Sequence, residues 1–258
     1  MDMVIGTSKC FGITLTENFN TPFFSCTIPE YWRRWHITLG AWLKDYVLYP
    51  VQRSRFIQKT NRFIKSKINK KVAKAVILHL SLFILWFTVG LWYGASWNFI
   101  IGTGLLHWSY IVLGEATSPF WEKLIKKLKI KTDCFSYKLF QRIRIFTLVC
   151  IGYVFFRATS TKTAIQIFGN MFKSFNSGEV FSRAIFNLGL DAKQLLVLLC
   201  AICVLFSIDF MQNRKPVSQR LGEQNAIYRW IIYYALVIAI LVFSVVGAGS
   251  GQFIYQQF

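Results

Sequence analysis

Long uncharged runs separated by basic segments dominate the pattern of hydrophobic and polar positions along the chain. Residues 75–114 contain no Lys, Arg, Asp or Glu over 40 positions. Because about 20 apolar residues are enough for a helix to cross the hydrocarbon of a bilayer, this run is long enough for two passes. The small residues Gly94-Ala95-Ser96 lie where we expect the two passes to be divided.

Three further apolar regions each predict one membrane pass. They are residues 139–159, 194–208 and 230–249, and the last of them contains no charged residue. Together with the pair in 75–114 they give about five crossings. Since the backbone of a crossing segment must satisfy its own hydrogen bonds, the sequence predicts an all-α, polytopic transmembrane helical bundle.

Two other segments have the pattern of helices that do not cross the membrane. Thr27-Ile-Pro-Glu30 has the spacing of a capping box with proline in the first turn. It predicts a helix over residues 27–49, which Pro50 ends. Residues 161–175 place their apolar side chains largely on one side, which is typical of a helix lying in the membrane interface.

Composition supports a membrane protein and excludes other classes. Hydrophobic residues make up 54% of the 258 positions, while 30 Lys and Arg against 11 Asp and Glu give a net charge of +19. A soluble nucleic-acid binder would explain the charge but not the uncharged runs, and disorder requires low hydrophobicity. We therefore expect a protein that contacts membrane lipid and does not bind nucleic acid.

The basic residues concentrate in segments between the predicted passes. Residues 53–74 hold nine Lys and Arg and no acid, and residues 123–144 hold eight against one acid. Because basic loops remain in the cytoplasm, both ends of the 75–114 pair are predicted to be inside. Residues 160–193 then lie outside, residues 209–229 inside, and the C-terminus outside.

The predicted helix over residues 27–49 carries an aromatic and basic motif. It reads Trp32-Arg-Arg-Trp-His-Ile-Thr-Leu39. Trp32, Trp35 and His36 would share one face of that helix, with Arg33 and Arg34 beside them. The simplest interpretation is interfacial anchoring by Trp and Arg, but an imidazole on an aromatic face is also a candidate general base.

A second motif interrupts the 75–114 run. It reads Gly90-Leu-Trp-Tyr-Gly-Ala-Ser-Trp-Asn98. Tryptophan and asparagine beside small residues indicate a broken helix that faces protein or a water-filled cavity. Close packing of helices through Gly90, Gly94 and Ala95 explains the small residues equally well.

These motifs resemble those of the bacterial membrane-bound O-acyltransferase family, in particular the branch of the alginate O-acetyltransferases and the teichoic-acid D-alanyl transfer protein. The similar segments, in the family's order, are Glu17-Asn-Phe-Asn-Thr-Pro22, Trp32–Leu39 with Trp42-Leu-Lys-Asp-Tyr46, Gly90–Asn98, Val154-Phe-Phe-Arg-Ala158 and Gln252-Phe-Ile-Tyr-Gln-Gln-Phe258. Family members usually have several more passes before the first segment. Residues 1–258 therefore look like the C-terminal portion of such a protein.

The resemblance implies transfer of an acyl group, with acetyl expected, to a hydroxyl of a cell-surface or exported polysaccharide. The implied donor is acetyl-CoA or another acyl carrier, acting as a substrate, with no bound cofactor and no metal. Implied partners are the polysaccharide acceptor and an acyl-carrier or extracellular acetyl-transfer protein. The implied location is the plasma membrane.

The resemblance also assigns site residues. The family's second motif has histidine, usually assigned to catalysis, where this chain has Tyr93. Imidazole ionises near pH 6.5 and phenol near pH 10, so Tyr93 is a poor base but can donate a hydrogen bond to an oxyanion. His36 matches the family's other histidine, which makes His36 and Tyr93 the catalytic candidates. A truncated or degenerate, non-catalytic family member is the alternative.

Seven other residues are predicted to bind substrate. They are Trp32, Arg33, Arg34, Trp35, Trp92, Asn98 and His107. His107 follows Tyr93 by 14 positions, which is about 21 Å along a single helix. On that geometry, His107 cannot simply replace the imidazole that Tyr93 lacks.

Overall fold

The computed structural model describes residues 1–173, 178, 186, 189, 191–213 and 215–243. The chain divides into two compact units, Met1–Asn176 and Ser177–Phe258. The first contains α1 (Asp2–Cys10), α2 (Ile28–Arg34), α3 (Ile37–Leu43), α4 (Tyr49–Arg53), α5 (Arg55–Lys67), α6 (Lys70–Tyr93), α7 (Trp97–Phe99), α8 (Leu106–Lys127), α9 (Phe135–Arg157) and α10 (Thr161–Lys173). The second contains α11 (Ala192–Gln212), α12 (Val217–Gly222) and α13 (Ala226–Phe243). Over the described residues no strand forms, which confirms the all-α prediction.

Four helical segments are long and apolar enough to cross a membrane. They are Lys70–Tyr93, Trp97–Lys127, Phe135–Arg157 and Ala192–Gln212. The fifth predicted pass corresponds to the apolar but shorter Ala226–Val242, and its last positions, 244–249, lie outside the described residues. The chain is a multi-pass integral membrane protein.

The predicted division of the 75–114 run is confirmed. The helix α6 ends at Tyr93 and the next helical segment begins at Trp97. Close packing holds at Gly90, where an added Cβ would lie 2.6 Å from the Cα of Ile100, whereas Ala95 is exposed. Gly104 in the next segment is packed in the same way, since a Cβ there would lie 2.5 Å from the Trp86 carbonyl oxygen. Glycine thus allows the two membrane segments to touch backbone to backbone.

The prediction of one continuous helix over residues 27–49 is wrong. The helix α2 ends at Arg34, Trp35 is extended, and His36 has a left-handed backbone with φ 50° before α3 begins. Pro50 does not end a helix but lies in the first turn of α4, directly after a π-helical turn over Lys44–Leu48 that continues α3. Residues 27–49 therefore form short helices joined by a sharp break.

The predicted capping box is confirmed in part. The Thr27 hydroxyl accepts a hydrogen bond from the Glu30 N–H at 3.2 Å. The Glu30 carboxylate, however, accepts from the Cys26 N–H at 2.9 Å rather than from Thr27. The start of α2 is still doubly capped, with the second bond shifted one residue upstream.

The core of the first unit joins the motif-bearing helices to the membrane segments. One buried cluster contains Ile28, Tyr31, Ile145 and Val149, and a second contains Leu43, Leu85, Trp86 and Val89. The first holds α2 against α9, and the second holds α3 against α6. Short helices that carry the first motif are thereby fixed to the membrane-spanning scaffold.

Two remaining predictions concern the ends of the described ranges. The amphipathic segment is helical over Thr161–Lys173, with Ala164 buried, and its last two positions lie outside the described residues. The final predicted motif, residues 252–258, also lies outside them.

Candidate functional site

The break at His36 is held by the upstream segment that resembles the family's leading motif. The Asn20 N–H donates to the Arg34 carbonyl at 2.9 Å, and the Ile37 N–H donates to the Asn18 carbonyl at 3.0 Å. The Asn18 side-chain oxygen also accepts from the N–H and the hydroxyl of Thr38, at 2.9 and 2.6 Å. These bonds satisfy backbone groups that a continuous helix would have paired within itself.

His36 lies at this break with its ring half-buried between aromatic side chains. Its centroid is 4.9 Å from that of Phe19 and 6.0 Å from that of Trp35. Burial lowers the pKa of His36 below its usual value. The imidazole is therefore neutral near pH 7, which is the protonation state that a general base requires.

The two arginines of the motif occupy different environments. The Arg34 guanidinium donates to the Glu30 carboxylate at 2.8 Å and to the Thr21 hydroxyl at 3.1 Å. Arg33 is exposed. Arg34 therefore holds α2 against the upstream segment, whereas Arg33 lies at the surface.

His107 lies in direct contact with the first motif. It is 5% exposed, and the Trp32 indole N–H donates to its Nδ1 at 3.4 Å. Its ring stacks on Trp86, with centroids 5.7 Å apart and planes inclined at 26°. The 21 Å separation expected along one helix does not apply, because the chain is divided after Tyr93 and α8 packs beside α6.

The other ring nitrogen of His107 faces α9. A Cβ added to Gly152 would lie 3.1 Å from His107 Nε2. Glycine at this position therefore makes room for the buried imidazole.

A pair of phenols, one buried and one partly exposed, also belongs to the site and was not among the predicted residues. The hydroxyls of Tyr31 and Tyr153 are 3.2 Å apart, and Tyr31 is only 2% exposed. Burial, followed by the neighbouring Tyr153 and Tyr93, raises the pKa of Tyr31. The available signal was position, since Tyr31 and Tyr153 each directly precede a family-like motif.

Tyr93 ends α6 beside the C-terminal part of α9. Its ring meets that of Phe156 edge-on, with centroids 5.6 Å apart, and it packs against the cluster around Trp86. Trp92 instead points outward and is 56% exposed.

Asn98 is buried in contacts with its own chain. Its side-chain N–H donates to the Ala158 carbonyl at 3.0 Å, and its side-chain oxygen accepts from the Ser96 hydroxyl. The side chain connects the turn after α6 to the end of α9.

A continuous series of aromatic contacts connects the two histidines. His36 contacts Trp35, Trp35 stacks on Tyr31 at 5.7 Å, Tyr31 meets Trp32 at 5.4 Å, and Trp32 meets His107 at 4.9 Å. The structure thus brings four predicted residues together with Tyr31. Within the described ranges, no group of three or more His, Cys, Asp or Glu is placed to hold a metal ion.

Comparison with known proteins identifies the family, although no protein-family model matches the chain. The chain is 32% identical over 219 residues to a probable alginate O-acetylase of Pseudomonas syringae, covering 84% of this chain and 36% of that protein. It is 31% identical over 170 residues to the peptidoglycan O-acetyltransferase of Helicobacter pylori, covering 66% and 27%.

A third relative extends the comparison to a different acyl group. The chain is 32% identical over 152 residues to the teichoic acid D-alanyltransferase of Bacillus subtilis, covering 59% of this chain and 35% of that protein. The chain belongs to the membrane-bound O-acyltransferase family. As a family member it spans 27–36% of the length of these three relatives.

Proposed function

We propose that this family member takes part in O-acyl transfer, moving an acyl group, with acetyl expected, to a hydroxyl of a cell-surface or exported polysaccharide. The observation that carries the proposal is the packing of the first motif, in which His36 and His107 lie at the two ends of an aromatic series. The relatives' names share acyl transfer and differ in the acceptor. They support the reaction class and leave the polymer open.

The chemistry requires a base and a hydrogen-bond donor. The acceptor hydroxyl loses its proton as its oxygen attacks the carbonyl carbon of the donor thioester, the carbon–sulfur bond breaks, and the thiol leaves with a proton. Neutral His36 takes the hydroxyl proton. The Tyr93 phenol donates a hydrogen bond to the carbonyl oxygen as negative charge develops there.

The surrounding residues bind and orient the substrates. Exposed Arg33 is suited to an anionic group of the donor or the polymer. Trp32, Trp35 and His107 shape the interior, while acetyl-CoA or another acyl carrier acts as a substrate rather than a bound cofactor. An acyl-carrier or extracellular acetyl-transfer protein is the partner that this reaction would need at either membrane face.

The test compares residues at position 93. Wild type, Tyr93→His and Tyr93→Phe are reconstituted in proteoliposomes with radiolabelled acetyl-CoA and alginate, and ester formation on the polymer is measured. A well-placed acid–base group contributes about 10²–10⁴-fold, so Tyr93→His should exceed wild type and Tyr93→Phe should fall below it. If all three folded proteins give no ester above protein-free vesicles, acyl transfer by this chain is wrong.

Tyr93 itself favours a second candidate, a non-catalytic family member. In that case wild type and Tyr93→Phe would be equally inactive, and only Tyr93→His would form ester. The position-93 series therefore separates an adapted enzyme, in which the phenol contributes, from a chain that has lost the reaction.

A further inference from the structure

A large cavity lies between α8 and α9 beside the candidate site, since Tyr110 lines it and meets the His107 ring edge-on with centroids 5.7 Å apart. Its volume is about 880 Å³, and the start of α2, at Thr27, Ile28 and Pro29, also lines it. The volume falls within the range of about 300–1,000 Å³ that is usual for pockets that bind small ligands. Neither His36 nor His107 lines this cavity, so its occupant is a separate question from acyl transfer.

The lining of the cavity suits a hydrocarbon chain. Most of its side chains are aliphatic or aromatic. Three of them, Leu113, Trp121 and Phe140, are 60%, 51% and 61% exposed, so the cavity opens to the outside of the protein. Since α8 and α9 both belong to membrane-spanning segments, the apolar material outside them is lipid.

A basic segment beside the cavity suits an anionic headgroup. The charged residues that line the cavity are Arg144, Glu115 and Glu122, and the Glu115 carboxylate lies 3.3 Å from His79 Nε2. Residues 123–144, which include Arg144, carry eight basic residues against one acid, Asp133. Basic segments remain on the cytoplasmic side, where the anionic lipids of a membrane concentrate and basic pockets between helices bind their headgroups.

We propose that this cavity binds an anionic phospholipid of the cytoplasmic leaflet, with an acyl chain between α8 and α9 and the phosphate beside Arg144. The lipid would also touch the start of the helix that carries the first motif. Arg144 donates to the Cys26 carbonyl at 3.4 Å and Arg142 to the Phe24 carbonyl at 3.2 Å. The headgroup thus binds where α9 holds the chain just before α2.

The experiment fills the cavity without disturbing the fold. Gly114 lines the cavity, and a Cβ added there meets no atom within 4 Å. Gly114→Phe therefore places a ring in the space that the acyl chain needs. Gly169→Phe is the matched control, because Gly169 on α10 is equally free of neighbours and does not line the cavity.

Native mass spectrometry of the full chain measures retention of phosphatidylglycerol and of phosphatidylcholine with identical acyl chains. We expect wild type and Gly169→Phe to retain one phosphatidylglycerol in preference to phosphatidylcholine, and Gly114→Phe to lose it. Arg144→Gln should reduce the preference about fivefold, the effect of one basic residue near a membrane surface. This arm tests the headgroup independently of the filled cavity.

Three results would overturn the proposal. The first is equal retention of phosphatidylglycerol by Gly114→Phe and Gly169→Phe. The second is equal retention of the two lipids by wild type. The third is a dimer that dissociates only in the Gly114→Phe variant. The last would identify a second copy of the chain as the occupant. Circular dichroism checks that each variant is folded, and Gly114→Leu is the smaller replacement if phenylalanine prevents folding.

Discussion

The two histidines of the site differ in what their ring nitrogens can do. His107 Nδ1 accepts the Trp32 N–H, so the proton of the neutral ring is on Nε2, which faces Gly152. Among the described hydrogen bonds none involves the ring of His36. His36 is therefore the histidine whose nitrogens remain available to a substrate, and His107 is better placed to position Trp32.

The lowered pKa of His36 predicts the acid limit of the reaction. A base is lost when it is protonated, so a pKa below the ordinary value of about 6.5 moves that loss to lower pH. We expect half-maximal ester formation on the acid side at a pH below 6.5, and a pH profile without this limb, at much lower activity, in His36→Asn. Unchanged activity in His36→Asn would exclude the base role.

At the scale of elements, the features set by neighbouring residues could be predicted from the sequence, and those set by long-range contacts could not. The division of the 75–114 run was predictable because glycine and small residues mark it within a few positions. The break at His36 was not, since residues 27–49 have helical spacing and the competing hydrogen bonds come from Asn18 and Asn20. The Tyr31–Tyr153 pair joins positions 122 apart, and no local pattern encodes such a contact.

The side chain of Asn18 should stabilise this break measurably. Asn18→Ala removes two hydrogen bonds to Thr38, and at about 0.5–1.5 kcal/mol each the free energy of unfolding should fall by about 1–3 kcal/mol. Thermal unfolding in detergent provides the comparison. Asn20→Ala is the matched control because Asn20 bonds through its backbone N–H, and equal destabilisation by both variants would contradict this explanation.

At the scale of the whole molecule, the charge distribution predicts how the membrane segments are oriented. The chain's membrane segments are joined by a basic connection between α8 and α9, which sequence alone places in the cytoplasm. Composition and span length were enough to predict the membrane class. They could not give the packing of α2 and α3 against the spans, because that depends on which buried faces meet.

Cys134, just before α9, provides a direct measurement of this topology. Hydrogen bonding to Ser136 lowers the pKa of the Cys134 thiol, which favours the reactive thiolate. In a variant that keeps only this cysteine, we expect an impermeant maleimide to label sealed inside-out vesicles and to spare intact cells. Labelling of intact cells would place the α8–α9 connection outside.

The left-handed backbone at His36 limits which replacements give interpretable results. Branched or bulky residues at φ 50° carry a conformational cost of about 1–2 kcal/mol, whereas asparagine accepts that geometry more readily. An alanine substituted here removes the imidazole and also favours a continuous helix, which would turn every downstream side chain of α3 to a new direction. Asparagine removes the imidazole but keeps the left-handed backbone. It therefore separates the loss of the ring from a change in the conformation of the chain at position 36.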